Sequence, residues 1–322
     1  MTIKRVAVLL AAGALLLGGC GGDRSAGQDG AQTSAGKRLS IATGNTTGVY
    51  YVLGGGLADQ IGKNIPGYQA TAEATGASVE NIQRVVRGDA DIAFTLADSA
   101  ADAVAGKGSF TSPQPIRAVA RLYDNYTQVV ATTDSGVKSV ADLKGRRVST
   151  GSPNSGTEVI ALRLLKAAGL DPDKDVKRQS LGLPESVQGI KDGTLDALVW
   201  SGGLPTPGIT DLLTSLKGEV AFVPLDSVLE PMRREHGQVY AGGTIAKDVY
   251  GTPADVSTIA VPNLLVVNEK MEPALAGDLA RLLVDHKADL ERVHPAAGDI
   301  TRENAQKTDP VPLHDGARKY YG

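Results

Sequence analysis

Two short polar loops hold the residues best suited to grip a small charged molecule. The first, Gly44-Asn45-Thr46-Thr47-Gly48, joins a strand ending near Thr43 to a helix entered at Tyr50 and Tyr51. In a parallel α/β sheet this is the carboxyl edge, where ligands bind. A carboxylate or phosphate placed there meets unpaired backbone N–H groups, the positive end of the helix dipole, hydroxyls and an amide. The spacing is neither G-x-G-x-x-G nor a P-loop, so a dinucleotide or nucleoside triphosphate is not indicated. Plain helix capping by Thr46 or Thr47 would use the same residues structurally. At most one of Tyr50 and Tyr51 can face such a site.

A matching loop, Gly151-Ser152-Pro153-Asn154-Ser155-Gly156-Thr157-Glu158, opens a later helix. Ser155 and Glu158 have capping-box spacing. Ser152, Asn154 and Thr157 exceed what capping requires. Two equivalent loops at equivalent places would face each other across a cleft. Further polar loops fall at the same edge: Glu73–Ser78 with Thr75 and Ser78, Asn81 one turn on, and Ala97-Asp98-Ser99. Trp200-Ser201-Gly202-Gly203 follows another strand; Trp200, the only tryptophan, either covers a ligand or packs in the core.

Catalytic arrangements do not emerge. His236, His286, His294 and His314 are dispersed, with no metal-ligand spacing. Ser201 lacks the G-x-S-x-G elbow, and no carboxylate pair stands out beside the loops. Hydroxyls, amides and backbone donors without a nucleophile and base read as a binding site, with no metal or cofactor.

The elements that must position these loops alternate strand and helix. Strands are expected at 39–43, 68–73, 91–95, 116–122, 147–150, 176–180, 197–199, 220–224 and 258–267, with an apolar run at 126–132. Helices are expected at 50–63, 78–87, 99–105, 155–168, 184–192, 208–216 and 273–293. Val79, Ile82, Val85 and Val86 share one face of the second helix, the spacing of a buried stripe. This rhythm predicts parallel sheets covered by helices. Gly88-Asp89-Ala90-Asp91-Ile92-Ala93 is echoed by Gly193-Thr194-Leu195-Asp196-Ala197-Leu198, so two related lobes are expected. The chain would cross to the second near 127 and return near 258. Residues 38–127 plus 259–322 would form lobe one and 128–258 lobe two; a single large α/β domain is the alternative.

Upstream, Lys4 and Arg5 precede an apolar run, Val6–Leu17, that ends in Leu17-Gly18-Gly19-Cys20. A basic start, a short apolar stretch and small residues before a cysteine make a lipoprotein signal over 1–19. The run is too short for a membrane-spanning helix. Cleavage would leave Cys20, the only cysteine, as a lipidated N-terminus; an ordinary secretory peptide is the other reading. Residues 20–37 are small and polar and form a tether. The body beyond it, about 280 residues, is long enough for two full cores. Net charge is −3 without a basic run, which argues against nucleic acid and anionic membrane surfaces as partners.

ATGNTTGVYYVLGG, EATGASVENI, GDADIAF, DLKGRRVSTGSPNSGTEVIALRLLKAAGL, STIAVPNLLVV and the C-terminal VPLHDGARKYY together resemble the TAXI family. These are solute-binding proteins of tripartite ATP-independent periplasmic (TRAP) transporters, and the resemblance runs from about residue 38 to the end. It implies a bilobal type II periplasmic-binding-protein fold, two parallel-sheet lobes joined by two crossover strands. It also implies a monomer on the outer face of the cytoplasmic membrane or in the periplasm, which passes a small carboxylate, such as a glutamate-like amino acid, to a TRAP permease. By position it puts Asn45, Thr46, Thr47, Gly48, Tyr50, Thr75, Ser78, Asn81, Ser152, Ser155 and Thr157 around the pocket, and Ser99, Gly156 and Gly202 fall on the same loops. Two departures concern the ligand. Arg121 stands where relatives often have a small residue, either as a bidentate carboxylate clamp or as a solvated strand-end arginine. Trp200 puts an indole where many relatives have small residues. A sensor lipoprotein feeding a membrane receptor and an extracytoplasmic enzyme on the same fold are the other functions compatible with the chain.

Overall fold

Strand β1 (Lys37–Ala42) is where the computed structural model takes up the chain; it describes residues 36–322, so the signal segment, Cys20 and nearly all of the tether lie outside the described residues. It leads into α1 (Val49–Asn64), β2 (Tyr68–Glu73), α2 (Ser78–Arg87), β3 (Ile92–Leu96) and α3 (Ala97–Ala105). Val79, Ile82 and Val85 of α2 are buried, as their spacing requires, and Gly88 ends the helix at φ 80°. Every residue of β3 is buried, the pattern of a strand covered on both faces.

β4 (Ile116–Thr132) runs unbroken for 17 residues, merging the strand and the apolar run expected separately. At the usual rise it spans on the order of 55 Å, long enough to serve both ends of the sheet. The second series follows: β5 (Arg147–Ser149), α4 (Gly156–Ala167), β6 (Lys177–Gln179), α5 (Leu183–Lys191), β7 (Ala197–Gly202), α6 (Pro207–Ser215) and β8 (Val220–Phe222). Then come α7 (Asp226–His236), β9 (Ala241–Ile245), the four-residue α8 (Lys247–Tyr250) and the long return strand β10 (Val256–Asn268). α7, β9 and α8 have no counterpart among the expected elements. The helix expected over 273–293 is two, α9 (Pro273–Asp285) and α10 (Lys287–Val293), parted at His286.

The strands make one mixed sheet in the order β2-β1-β3-β10-β4-β7-β5-β6, with β8 on β4 and β9 on β10. Each wing is parallel, as expected, and the two crossover strands make the whole sheet mixed. β1 pairs in parallel with β2 and β3, and β5 with β6 and β7, but the crossover strands β4 and β10 are antiparallel to each other and to their neighbours. We call β2-β1-β3 and β7-β5-β6, with their helices, the first and second wings. The repeated Gly-x-x-Asp has the same duty in each. Asp91 Oδ2 accepts the β1 N–H of Ser40 at 2.8 Å, and Asp196 Oδ2 accepts the β5 N–H of Arg147 at 2.7 Å.

One apolar cluster lies under the first wing, among α1, α9 and the C-terminal helix, and another under the second, among α5 and α6. A third joins the wings: Ala100 and Ala103 of α3 belong with Ile160 and Leu164 of α4 and Met232 of α7. No helix among the described residues is long and apolar enough to cross a membrane.

Candidate functional site

The N-termini of α1, α2 and α4 converge on one cavity between the wings, lined by Gly48, Val49, Ala77, Ser78, Ser155, Gly156 and Thr157 among others. Its volume is about 30 Å³. No charged side chain of the described residues lines it. Backbone N–H groups in the first turn of each helix have no intrahelical acceptor.

Gly48 is the N-cap of α1 and no side chain caps that helix, so neither Thr46 nor Thr47 has the capping role. Thr46 is exposed and neither threonine lines the cavity. A Cβ on Gly48 would come within 3.2 Å of the Trp200 ring, so glycine allows the indole to lie against this loop. Asn45 lines the cavity and also spans it, its side chain bonding to Ser152 and to the Leu183 N–H. Tyr50 lines it as well and donates its hydroxyl to Asn263 of β10.

In the α2 loop, Ser78 lines the cavity while its Oγ accepts the Leu96 N–H at 3.0 Å. Thr75 donates to Asn81 Oδ1 at 2.6 Å, and Asn81 Nδ2 donates to the carbonyls of Thr43 (2.6 Å) and Phe94 (2.8 Å). Thr75 and Asn81 thus tie the ends of β1 and β3 together and lie outside the cavity lining, as does Ser99, which is buried against Asp98. Ala77 holds φ 86°, ψ −146° at the mouth of α2, a region that side-chain-bearing residues avoid.

Ser155 caps α4, its Oγ accepting the Glu158 N–H at 2.9 Å. The reciprocal half of the expected box is displaced by one residue, because Glu158 Oε2 accepts from Asn154 N at 2.9 Å. Glu80 Oε2 takes the Gly76 N–H at 2.7 Å in the matching way. Thr157 Oγ1 accepts the Ser201 N–H at 3.2 Å. A Cβ on Gly156 would sit 2.5 Å from Ser78 Oγ, so only glycine lets the starts of α2 and α4 approach this closely. Trp200, Gly202 and Ser152 line the same space. The indole Nε1–H donates to Thr206 Oγ1 at 3.2 Å, which holds the ring over the cavity. Gly202 has to lack a Cβ, which would fall 2.2 Å from that nitrogen.

Arg121 is placed elsewhere. It pairs with Asp124 at 2.5 Å and lines a separate surface groove with His236 and Lys307. Tyr123 and Asn125, two and four residues on, line the cavity instead. Sequence reasoning missed both. The available signal was polar side chains two apart on a crossover strand, which share one face. Burial pushes the Tyr50 and Tyr123 phenols well above the ordinary range, so both stay neutral.

Beside the cavity a charged network joins the wings. Arg163 of α4 donates to Tyr240 Oη (2.8 Å) and to Asp102 of α3; Tyr240 Oη donates to Asp98 Oδ2 at 2.7 Å. None of the four histidines lines the cavity, and no cluster of three or more metal-ligating side chains occurs among the described residues.

Two α/β wings joined by a pair of long crossover strands, closing on a cavity edged by helix N-termini, define a type II periplasmic-binding-protein fold. Solved structures share it. A binding-protein component of an ABC phosphonate transporter from Pseudomonas aeruginosa matches with TM-score 0.56 at 13% identity, over 88% of this chain and 93% of that one. PhnD1 of Prochlorococcus marinus, in complex with methylphosphonate, matches with TM-score 0.54 at 12% identity, over 81% and 90%. A protein of Xanthomonas citri bound to ATP matches with TM-score 0.51 at 13% identity, over 88% and 94%. The chain belongs to the NMT1-like family, whose model matches residues 41–322.

Proposed function

We propose that this protein is an extracytoplasmic solute-binding lipoprotein, anchored through Cys20, that captures a small carboxylate-bearing metabolite and delivers it to a membrane permease of the TRAP type. It performs no chemistry on the solute. The observation that carries this reading is the convergence of three helix N-termini, with hydroxyls and no charged side chain, on one cavity reached from both wings. Such a site gives a carboxylate unpaired N–H donors and favourable dipoles. The TAXI resemblance supports the choice of carboxylate and of TRAP permease. The phosphonate-transporter proteins of the same fold are the reason to test phosphonates and an ABC-type partner beside them.

Hydrogen bonds between the loops of the two wings span the cleft, so capture requires an open form. Residues 38–127 with 259–322 and residues 128–258 act as lobes that part by bending at β4 and β10, and ligand contacts to both lobes favour closure. The test is a thermal-shift panel of amino acids, oxo-acids, dicarboxylates and phosphonates on the full chain in mild detergent, unfolded and refolded first to strip carried solute. At 100 times its dissociation constant a ligand adds about 2.7 kcal/mol, several degrees of melting temperature for a body of this size. A shift with a carboxylate but not with its amide supports the reading; a shift with phosphonates alone replaces the carboxylate.

A further inference from the structure

Two cavity-lining side chains on β4 carry polar atoms that nothing else in the described residues satisfies. Tyr123 is 1% exposed and Asn125 2%, and Tyr123 Oη and Asn125 Oδ1 have no hydrogen-bond partner. The other end of the Asn125 amide is held, Nδ2 donating to Ser201 Oγ at 3.2 Å. Tyr123 is held by its backbone, whose carbonyl accepts from Asn263 Nδ2 at 3.1 Å. Leaving a buried acceptor unmet is costly, and a ligand donor would remove that cost.

Resting on the solute-binding reading above, we infer that the solute is a small monoanion that also carries its own hydrogen-bond donor, and that Asn125 selects it by that donor. The carboxylate lies at the starts of α2 and α4 and accepts from the neutral Tyr123 hydroxyl. A hydroxyl or ammonium on the neighbouring carbon donates to Asn125 Oδ1. No cation lines the cavity. A second negative charge would therefore be desolvated without a counter-charge. Short 2-hydroxy and 2-amino monocarboxylates fit these demands; dicarboxylates and donor-free acids do not.

The experiment is calorimetric titration of the refolded full chain with glycolate, lactate, glycine and alanine. Each is paired with its O-methyl or N,N,N-trimethyl counterpart, and malonate and succinate are included. At least one parent acid is expected to bind ten or more times tighter than its methylated counterpart and than either dicarboxylate. In Asn125→Leu that ratio should fall below about three. Tyr123→Phe should weaken parent and counterpart together and leave the ratio unchanged, and serves should Asn125→Leu not fold. Equal binding of parent and counterpart, tight binding of a dicarboxylate, or a ratio that survives Asn125→Leu overturns the inference while leaving solute capture intact. If no acid binds, mass spectrometry of the untreated protein decides. A released donor-bearing monoanion supports the inference, another compound overturns it, and no released compound overturns the solute-binding reading as well.

Discussion

Asn45 Nδ2 donates to Ser152 Oγ at 3.3 Å, although 107 residues separate them. The two residues belong to the equivalent loops that open α1 and α4, one in each wing. Asn45 reaches further still: its Oδ1 accepts the Leu183 N–H at the start of α5 at 2.6 Å. Nearby, Glu80 N donates to Asn154 O at 3.0 Å and Gly208 N to Thr47 O at 3.3 Å. These bonds cross the cleft and would exchange for water when it opens.

Asn45→Ala should therefore shift the protein toward its open form. With the loss of hydrogen bonds worth about 1 kcal/mol each, solute dissociation should quicken about tenfold, while global unfolding changes little. Trp200, the only tryptophan, lies in the cleft, so stopped-flow fluorescence reads the rate directly.

Ser155→Ala and Thr46→Ala should behave differently. Ser155 caps α4 and lines the cavity, so its loss should cost about 1 kcal/mol of unfolding free energy and weaken binding too. Thr46 is exposed, caps nothing and lines nothing, so Thr46→Ala should leave both unchanged. Urea unfolding and titration of both variants check this.

Ala77→Gly should stabilise the protein. A residue bearing a Cβ at φ 86°, ψ −146° stores about 1–3 kcal/mol, and glycine releases it at a smaller entropic cost. The expected net gain is on the order of 1 kcal/mol in urea unfolding. A loss would show that the Ala77 methyl, packed with the first-wing core, outweighs the strain.

Arg163→Met should be the most damaging of these changes. Arg163 is 13% exposed and Asp98 fully buried, so removing the guanidinium leaves carboxylates without their partner. Breaking a buried pair from one side costs about 3–5 kcal/mol. The network also joins α3 to α4 across the wings, so solute affinity should fall with stability, as titration near and well below the new melting temperature will show.

Stability should decline as the solution is acidified below about pH 6.5. Burial lowers the pKa of His294 from its ordinary value of 6.5, although its bond to the Pro205 carbonyl opposes this; burial lowers His236 as well. The fold favours both neutral rings, so as pH falls through 6.5 the unfolded chain takes up protons first and unfolding is favoured. His294 Nε2 donates to Pro205 O at 3.0 Å and Nδ1 accepts from Ala296 N at 3.2 Å, an acceptor that protonation abolishes. Melting temperature should drop between pH 7.5 and 5.5, and His294→Gln should flatten part of that slope.

Local pattern carried a large part of the fold. β2 and α2 occur at their expected bounds, because an apolar stripe, a loop of small polar residues and a stopping glycine all lie within a few positions of one another. α7 escaped notice because Pro231 and a run of charges obscure its period, though Val228 and Met232 are buried at i, i+4 spacing. The break at His286 went unseen because the apolar pattern of α9 leads on toward Leu290 of α10 without a glycine or proline between.

What the sequence determined by itself was the α/β class, the kinship of the two wings and the two opposed polar loops, since each depends on residues close together in the chain. Tertiary structure decided which of those residues share a cavity. Thr75, Asn81 and Ser99 resemble ligand contacts in sequence, yet Thr75 and Asn81 are consumed in holding strand ends and Ser99 in a bond to its neighbour Asp98, while Arg121 pairs with its own neighbour Asp124. Tyr123 and Asn125 enter the site because β4 crosses between the wings there and turns their shared face toward the converging helix N-termini. The side a strand presents, and what stands opposite it, follow from pairing with partners far away in the chain, which no short stretch of residues records.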